Sequence, residues 1–401
     1  MTDARFAGID WAQDSHAICV IDAAGEPLER LVVAHTKAGI GKAVGVLRRH
    51  GVAGVGIERS DGPLVVGLLA AGLEVFVMPP SRVKSLRGRY GSAGNKDDRF
   101  DAYMLADVVR TDRRRLTPLR PDTAATTSLR TLVRARADLV QHRVALVNQL
   151  RAHLLTVLPG VVGLFCELTS PISRAFLTAF PTQDAVDALT VEELTGWLAG
   201  QRYRKRPPEV LLARLQDAPT GVTGPAGTAL AGVTTAYLTA ATGLIEQINA
   251  LETQIAQALA EHPDGAIFTS LPRAGTVRAA RLLAEIGDAR GRHPTPAALA
   301  GLAGVTPSTR QSGQVRMVAF RWSVNKQLRG AVCDFAADSR HANPWAADLY
   351  AQARARGHRH PHAVRILARA WLTIIWKLWT TGTPYNPDQH NALQKLLTQT
   401  P

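Results

Sequence analysis

Apolar positions near the start of the chain fall into short runs separated by turn residues. Phe6 and Ile9, with small residues between them, form a run of strand length that ends at Asp10 and breaks over Trp11–Asp14. His16–Ile21 and Leu28–Val33 read as two further strands joined by a hairpin at Ala23-Ala24-Gly25. Thr36–Arg49 carries helical spacing at Ile40, Val44 and Leu47 and stops at Gly51. Val52–Glu58 is again a buried-strand pattern, Gly62-Pro63 opens a helix through Ala71, and Leu73–Met78 makes a fifth strand stopped by Pro79-Pro80. A helix follows from Lys96 to Val109.

Three strands, helix, strand, helix, strand, helix is the succession of a ribonuclease-H-like α/β domain. In that topology the first and fourth strands lie side by side. Their ends carry Asp10 and Glu58. An aspartate at a strand end can also cap the following turn, so the neighbours decide. Lys96-Asp97-Asp98-Arg99-Phe100-Asp101-Ala102 leads into the next helix, where Asp98 and Asp101, three apart, share a face. Asp97 and Asp101 do so equally well, and spacing does not separate the two choices. Acids also suit a helix N-terminus without any further role. Four converging carboxylates repel one another unless a cation joins them. An all-oxygen donor set favours a hard ion, Mg²⁺ or Mn²⁺, and two such ions stabilise both oxygens of a phosphodiester exchange.

Beyond this domain the periodicity becomes helical. Thr126–Val157 is one long pattern with Leu129, Leu132, Leu139, Leu146 and Leu150 near heptad positions, interrupted by Arg136 and Arg143. Leu244, Ile248, Leu251, Ile255 and Ala258 make a second seam, and the pair predicts an antiparallel coiled-coil hairpin able to dimerise. The Pro-, Gly- and Thr-rich stretch between them predicts small helices. Leu271-Pro272-Arg273-Ala274-Gly275 before an apolar helix resembles a helix-hairpin-helix element, whose backbone amides grip phosphate. Leu299–Arg316 reads as a loop on account of Gly301, Gly304, Pro307 and Gly313. It holds Ser308 and Ser312 among Arg310, Arg316 and Arg321 but has no histidine to act as base. Ala363–Thr380 carries Arg365, Arg369 and Lys377 and reads as a core helix rather than a membrane span, and the polar tail after Thr381 is expected to fray.

Charge sharpens the picture. The 401 residues carry a net charge of +14, and between Arg82 and Arg151 sixteen Lys and Arg against seven Asp leave +9 in one block. A polyanion is the natural partner of such a block. Candidate contacts are Arg87, Arg89, Lys96, Arg113, Arg114, Arg115, Arg273, Gly275, Arg310 and Arg316. Three scattered cysteines suggest a reducing cytosol and no zinc ribbon.

Taken in order, GIDWA at Gly8–Ala12, GIERS at Gly56–Ser60, K-x-D-x-x-D-A at Lys96–Ala102, LPRAG with LLAEIGD, and GVTP with QSG resemble the transposases of insertion-sequence family one-ten, RuvC-like DEDD recombinases guided by a bridge RNA. The resemblance implies that Asp10, Glu58, Asp98 and Asp101 are the metal-binding acids, so Asp98 is chosen over Asp97 by pattern alone. It further implies that Ser312, with Ser308 as the alternative, is a nucleophile forming a covalent 5′-phosphoserine link to DNA. A non-coding RNA would pair with donor and target DNA, and the acids of one protomer would meet the serine of another in a dimer assembling to a tetramer. Asp97 stands where the family usually has threonine.

The expected organisation is a RuvC-like catalytic domain over 1–125, coiled-coil helices over 126–262 with an insert near 160–232, a C-terminal, mainly helical transposase domain over 263–386, and a tail over 387–401. The expected setting is the bacterial cytoplasm, in association with the nucleoid and without a membrane. Two other readings compete: a RuvC-like junction nuclease using water, and a nucleic-acid-binding protein with no chemistry.

Overall fold

A computed structural model describes residues 4–78, 83, 97–312, 315–322 and 324–399. The chain divides into two units: 1–123 with 289–294, and 124–288 with 295–401.

The first unit is built on a five-stranded sheet, β1 (Arg5–Trp11), β2 (Ser15–Ile21), β3 (Pro27–Ala34), β4 (Val52–Ile57) and β5 (Val75–Val77), in the order β3-β2-β1-β4-β5. β1 pairs antiparallel with β2 and parallel with β4, and β5 continues parallel to β4. Residue alternation sorts the core into two layers. Ala7, Ile9, Val55 and Ile57 pack against α1 (Lys37–Arg49) and α2 (Pro63–Ala70), through Ala43, Leu47, Leu64 and Leu68. Phe6, Cys19, Ile21 and Phe76 pack on the other side against α3 (Asp98–Asp112), through Ala102, Leu105, Ala106 and Val109. Thr36 accepts the amide of Gly39 to cap α1, so the helix begins where its first apolar position requires.

Glycines let α3 lie directly on the strands. A Cβ at Gly8 would collide with the backbone of Ala102 and Ala106 and stand 2.8 Å from Leu105 Cβ. One at Gly56 would stand 2.6 Å from the Leu105 carbonyl oxygen, and one at Gly54 would meet Val109 at 3.0 Å. On α3 itself, buried Asp107 pairs with Arg110 at 2.6 Å.

The second unit is helical apart from one hairpin. α4 (Ala124–Val157) is followed by the short helices α5 (Pro171–Ala179), α6 (Gln183–Asp187), α7 (Val191–Gly200) and α8 (Pro208–Gln216), and then by α9 (Gly224–Glu261). Thr126 bonds His262 at 2.8 Å, Arg136 pairs with Glu252 at 2.7 Å, and His153 bonds Thr234 at 2.9 Å. Partner numbers fall as α4 numbers rise, so α4 and α9 run antiparallel. α9 is long and apolar enough by composition to cross a membrane; 22% of its apolar window is buried, and Leu238, Ile248 and Ile255 are among the buried residues of the helix. The short helices enclose a core of their own around Phe165, Phe176, Leu194 and Leu211.

The remaining core joins α10 (Gly265–Thr269), α11 (Gly275–Ile286), α12 (Pro296–Leu302), α13 (Lys326–Ser339), α14 (Pro344–Ala355) and α15 (His360–Thr381). Trp371 and Trp379 are buried there, donating to Ser339 Oγ and to the Gly287 carbonyl. Arg134 on α4 makes a bidentate pair with buried Glu285 on α11 at 2.8 and 2.7 Å.

Two expectations are corrected. Leu299–Arg316 is not all loop: it begins in the last turn of α12 and includes β6 (Ser308–Ser312) and the start of β7 (Val315–Ala319), which pair as an antiparallel hairpin. The first strand, STRQS, is polar throughout and so gave no alternation to read. Nor does the tail fray at Thr381. The Tyr385 hydroxyl accepts from Asn343 at 3.1 Å and bonds His390 at 2.9 Å, and α16 (Asn391–Gln399) buries Leu393.

Candidate active site

The first unit brings two of the sequence-predicted acids, Asp10 and Glu58, to the same end of its sheet. Gly8 pairs with Gly56, and Ile9 with Ile57, in the parallel β1–β4 ladder. One residue further stand Asp10 and Glu58, both half-buried, on neighbouring strands about 4.8 Å apart. Alternation puts both on the side of Gly8 and Gly56, against which α3 packs.

The position of α3 follows from its contacts. Gly54 meets Val109, Gly56 meets Leu105 and Val109, and Gly8 meets Ala102, Leu105 and Ala106. Advancing along the strands therefore means moving back along the helix. Two strand residues advance about 6.6 Å and four helical residues about 6 Å, nearly the same step. Asp98 and Asp101 lie four residues before Ala102 and Leu105, on the same helix face and one turn closer to the strand ends. The first turn of α3 therefore lies toward the end of the strands that carries Asp10 and Glu58. Asp101 is 3% exposed, whereas Asp98 is exposed.

Asp97 has a different position. It is the N-cap of α3, its carboxylate accepting the Arg99 amide at 3.0 Å. Asp98 and Asp101 occupy the first turn, where the helix dipole favours negative charge.

All four candidates offer carboxylate oxygen, the donor chemistry of a hard divalent ion. Among the described residues no three His, Cys, Asp or Glu side chains form a ready-made metal group.

On the opposite face of the same strand ends stands a cluster the sequence did not announce. Arg59 lies 4.3 Å above the Trp11 ring and pairs with Asp61 at 3.0 Å. His16, fully buried, bonds His35 at 2.7 Å. Burial, and then the neighbouring His35, hold the His16 imidazole below its ordinary pKa.

The predicted serines lie in the second unit. Ser308 opens β6 opposite Ala319, and Ser312 closes it opposite Val315. Arg310 and Arg316 occupy β6 and β7 near the same end. The other predicted basic contacts are scattered. Arg113, Arg114 and Arg115 follow the C-terminal end of α3, about 21 Å along the helix from Asp98, so they do not converge on the acids. Arg113 is paired with Glu74 at 2.6 Å and Arg115 with Asp112 at 3.5 Å. Arg273 has a left-handed backbone (φ 57°) and pairs with Asp338 at 3.1 Å, and Gly275 begins α11 with φ 56°. Arg87, Arg89 and Lys96 lie outside the described residues.

A family model described as Transposase matches residues 7–159, and one described as Transposase IS116/IS110/IS902 family matches residues 265–351. The mini-circle protein of IS117 from Streptomyces coelicolor is 32% identical, over 98% of this chain and 97% of its own. A 44.8 kDa protein of insertion element IS116 from Streptomyces clavuligerus is 28% identical over 96% and 97%, and a 42 kDa protein of IS900 from Mycobacterium paratuberculosis is 27% identical over 98% and 100%. With matches to both halves and relatives spanning nearly its whole length, the chain belongs to the IS110 family of transposases.

Proposed function

We propose that this transposase is a ribonuclease-H-like DEDD recombinase that cuts and rejoins DNA through a covalent phosphoserine. The observation that supports the reading is the Gly8–Gly56 register, which sets Asp10 and Glu58 at the same end of neighbouring strands, with α3, whose first turn carries Asp98 and Asp101, packed on both glycines. The 3-2-1-4-5 strand order supports the ribonuclease-H-like assignment.

In the proposed reaction the Ser312 hydroxyl loses its proton and attacks a backbone phosphorus. The serine O–P bond forms, the bond to the 3′ oxygen breaks, and that oxygen takes up a proton. The 5′ strand is left on the serine. Attack by another strand's 3′ hydroxyl reverses these bonds and frees the protein. A divalent ion, Mg²⁺ or Mn²⁺, held by Asp10, Glu58, Asp98 and Asp101, would supply positive charge to the phosphate oxygens. The carboxylates, fixed on strand ends and a helix start, hold their positions without reorganising as charge develops.

The substrate is donor and target DNA, and a bridge RNA supplies the pairing, so the protein reads backbone shape. The strongly basic composition supports polyanion partners. Helix α11, whose N-terminus carries no side-chain cap, suits a phosphate beside Arg273 and Gly275. A dimer through α4 and α9 is supported by apolar side chains left exposed on them, Val144 at 52% and Val233 at 41%.

The test is cleavage of labelled DNA in Mg²⁺ with the RNA encoded beside the gene. Asp10→Asn and Glu58→Gln abolish cleavage while the protein stays folded. Ser312→Ala does the same if serine is the nucleophile. A Ser312→Ala protein that still cuts would instead make water the nucleophile, as in a junction nuclease.

A further inference from the structure

At the base of the β6–β7 hairpin is a cavity of about 460 Å³, lined by Gly304–Pro307 before the hairpin, Val318–Arg321 at its end, and His362, Arg365, Ile366 and Arg369 of α15. Arg321, Arg329, Arg365 and Arg369 crowd this region, and no carboxylate pairs with any of them among the described residues. On the neighbouring α11, by contrast, Arg278 and Arg281, with Arg273 just before it, share Asp334 and Asp338. The cavity arginines differ from these three in having no such carboxylate among the described residues. The Phe320 ring holds two of the guanidiniums, Arg365 at 4.8 Å and Arg329 at 5.0 Å from its centroid. The buried Nε of Arg321 has no hydrogen-bond partner. Like charges gathered without counter-ions call for an anion.

A second feature sits beside the first. Trp322 is 77% exposed, edge-on to Phe320 at 4.8 Å, and next to exposed Met317 and Val318 on the hairpin. A solvent-facing indole beside a guanidinium-lined cavity is the combination that holds single-stranded nucleic acid, with arginine on the backbone and an aromatic face under a base. Burial, and then His358 and Arg365 nearby, lowers the His362 pKa.

We infer that this cavity seats one unstacked nucleotide, its phosphate on Arg321, Arg365 and Arg369 and its base on Trp322. The inference rests on the recombinase reading only for the identity of the strand, DNA or guide RNA. The phosphodiester chemistry is common to both. It gives the hairpin that carries Ser312 an anchor for the strand at its base.

The test uses full-length protein carrying Asp10→Asn, so binding is read without cleavage and stands apart from whether Ser312 or water does the chemistry. A fluorescein-labelled twelve-nucleotide strand containing 2-aminopurine is titrated as DNA and as RNA. Trp322→Ala is expected to weaken binding about tenfold, as loss of one stacked base does, and to abolish quenching of the 2-aminopurine. Arg369→Gln is expected to weaken binding and to reduce the slope of log K against log salt by about 0.7, one single-strand phosphate. Both side chains are exposed, so thermal melts should match the parent. The strand that shows the quench identifies the source. Unchanged affinity and slope in both variants overturns the inference, as does binding of duplex alone without quenching.

Discussion

Replacing Gly8 by alanine should damage the first unit far beyond the size of a methyl group. The new Cβ would collide with backbone atoms of Ala102 and Ala106 and stand 2.8 Å from Leu105 Cβ, whereas ordinary contact begins near 3.4 Å. A flexible side chain could turn aside, but a helix backbone can only retreat. Overpacking of this kind costs about 1–3 kcal/mol, and collision with two backbone atoms places Gly8→Ala near the upper end, about 3 kcal/mol. The retreat also moves the first turn of α3, with Asp98 and Asp101, away from Asp10 and Glu58. A displacement of about 1 Å at a reacting centre is worth about a hundredfold in rate. Gly45→Ala is the control, since it lies exposed within α1 with nothing inside 4 Å of its Cβ. That change should stabilise by about 0.5–1 kcal/mol. Hydrogen exchange read by mass spectrometry over 98–112 and 5–11 localises the effect. Gly8→Ala should lose protection in both segments while Gly45→Ala keeps it. Equal protection in Gly8→Ala and the parent would refute the packing argument, and with it the placement of the α3 acids.

Three further outcomes follow from single interactions. Asp97→Ala should cost about 1 kcal/mol as a lost helix cap and retain cleavage, whereas Asp98→Asn should lose cleavage and keep its thermal stability; the reverse pattern would exchange their roles. Arg134→Ala leaves the buried Glu285 carboxylate without its bidentate partner and should destabilise the second unit by about 3–5 kcal/mol in urea unfolding, while Arg134→Ala combined with Glu285→Leu should recover much of the loss. His16 and His390 are both held below the ordinary histidine pKa, chiefly by burial. The unfolded chain then takes up protons at higher pH than the native one, so their contribution is complete above about pH 6.5 and is lost as pH falls from there through the folded values. Thermal melts at pH 7.5 and 5.5 should show a Tm drop at the lower pH, smaller in His16→Gln than in the parent; an equal drop in the two proteins would remove His16 from the explanation.

What could be read in the sequence was whatever leaves a periodic trace. FAGID and VAGVGIE announce buried strands because apolar and small residues alternate with nothing charged until Asp10 and Glu58. The seams of α4 and α9 are legible for the same reason. The small residues had a second meaning visible only in three dimensions: Gly8, Gly54 and Gly56 are the surface on which α3 rests. The Asp97–Asp98 ambiguity is one of phase that spacing cannot settle; in the fold Asp97 caps α3 through the Arg99 amide and Asp98 opens its first turn. β6 was illegible because STRQS carries its strand through pairing with VRMVA rather than through its own pattern. Docking of the tail depends on Tyr385 meeting Asn343, a contact across 42 residues that no local window contains. Arg365 and Arg369 read as charges that exclude a membrane span, because their convergence with Arg321 depends on how α15 meets the end of the hairpin.

The most direct measurement of the central claim is a search for a protein–DNA adduct that survives denaturant, using purified protein, Mg²⁺, its RNA and end-labelled DNA. The account predicts an adduct that protease digestion and mass spectrometry map to Ser312, absent in Ser312→Ala and in Asp10→Asn. Cleaved DNA with no adduct, or an adduct on another residue, would contradict it.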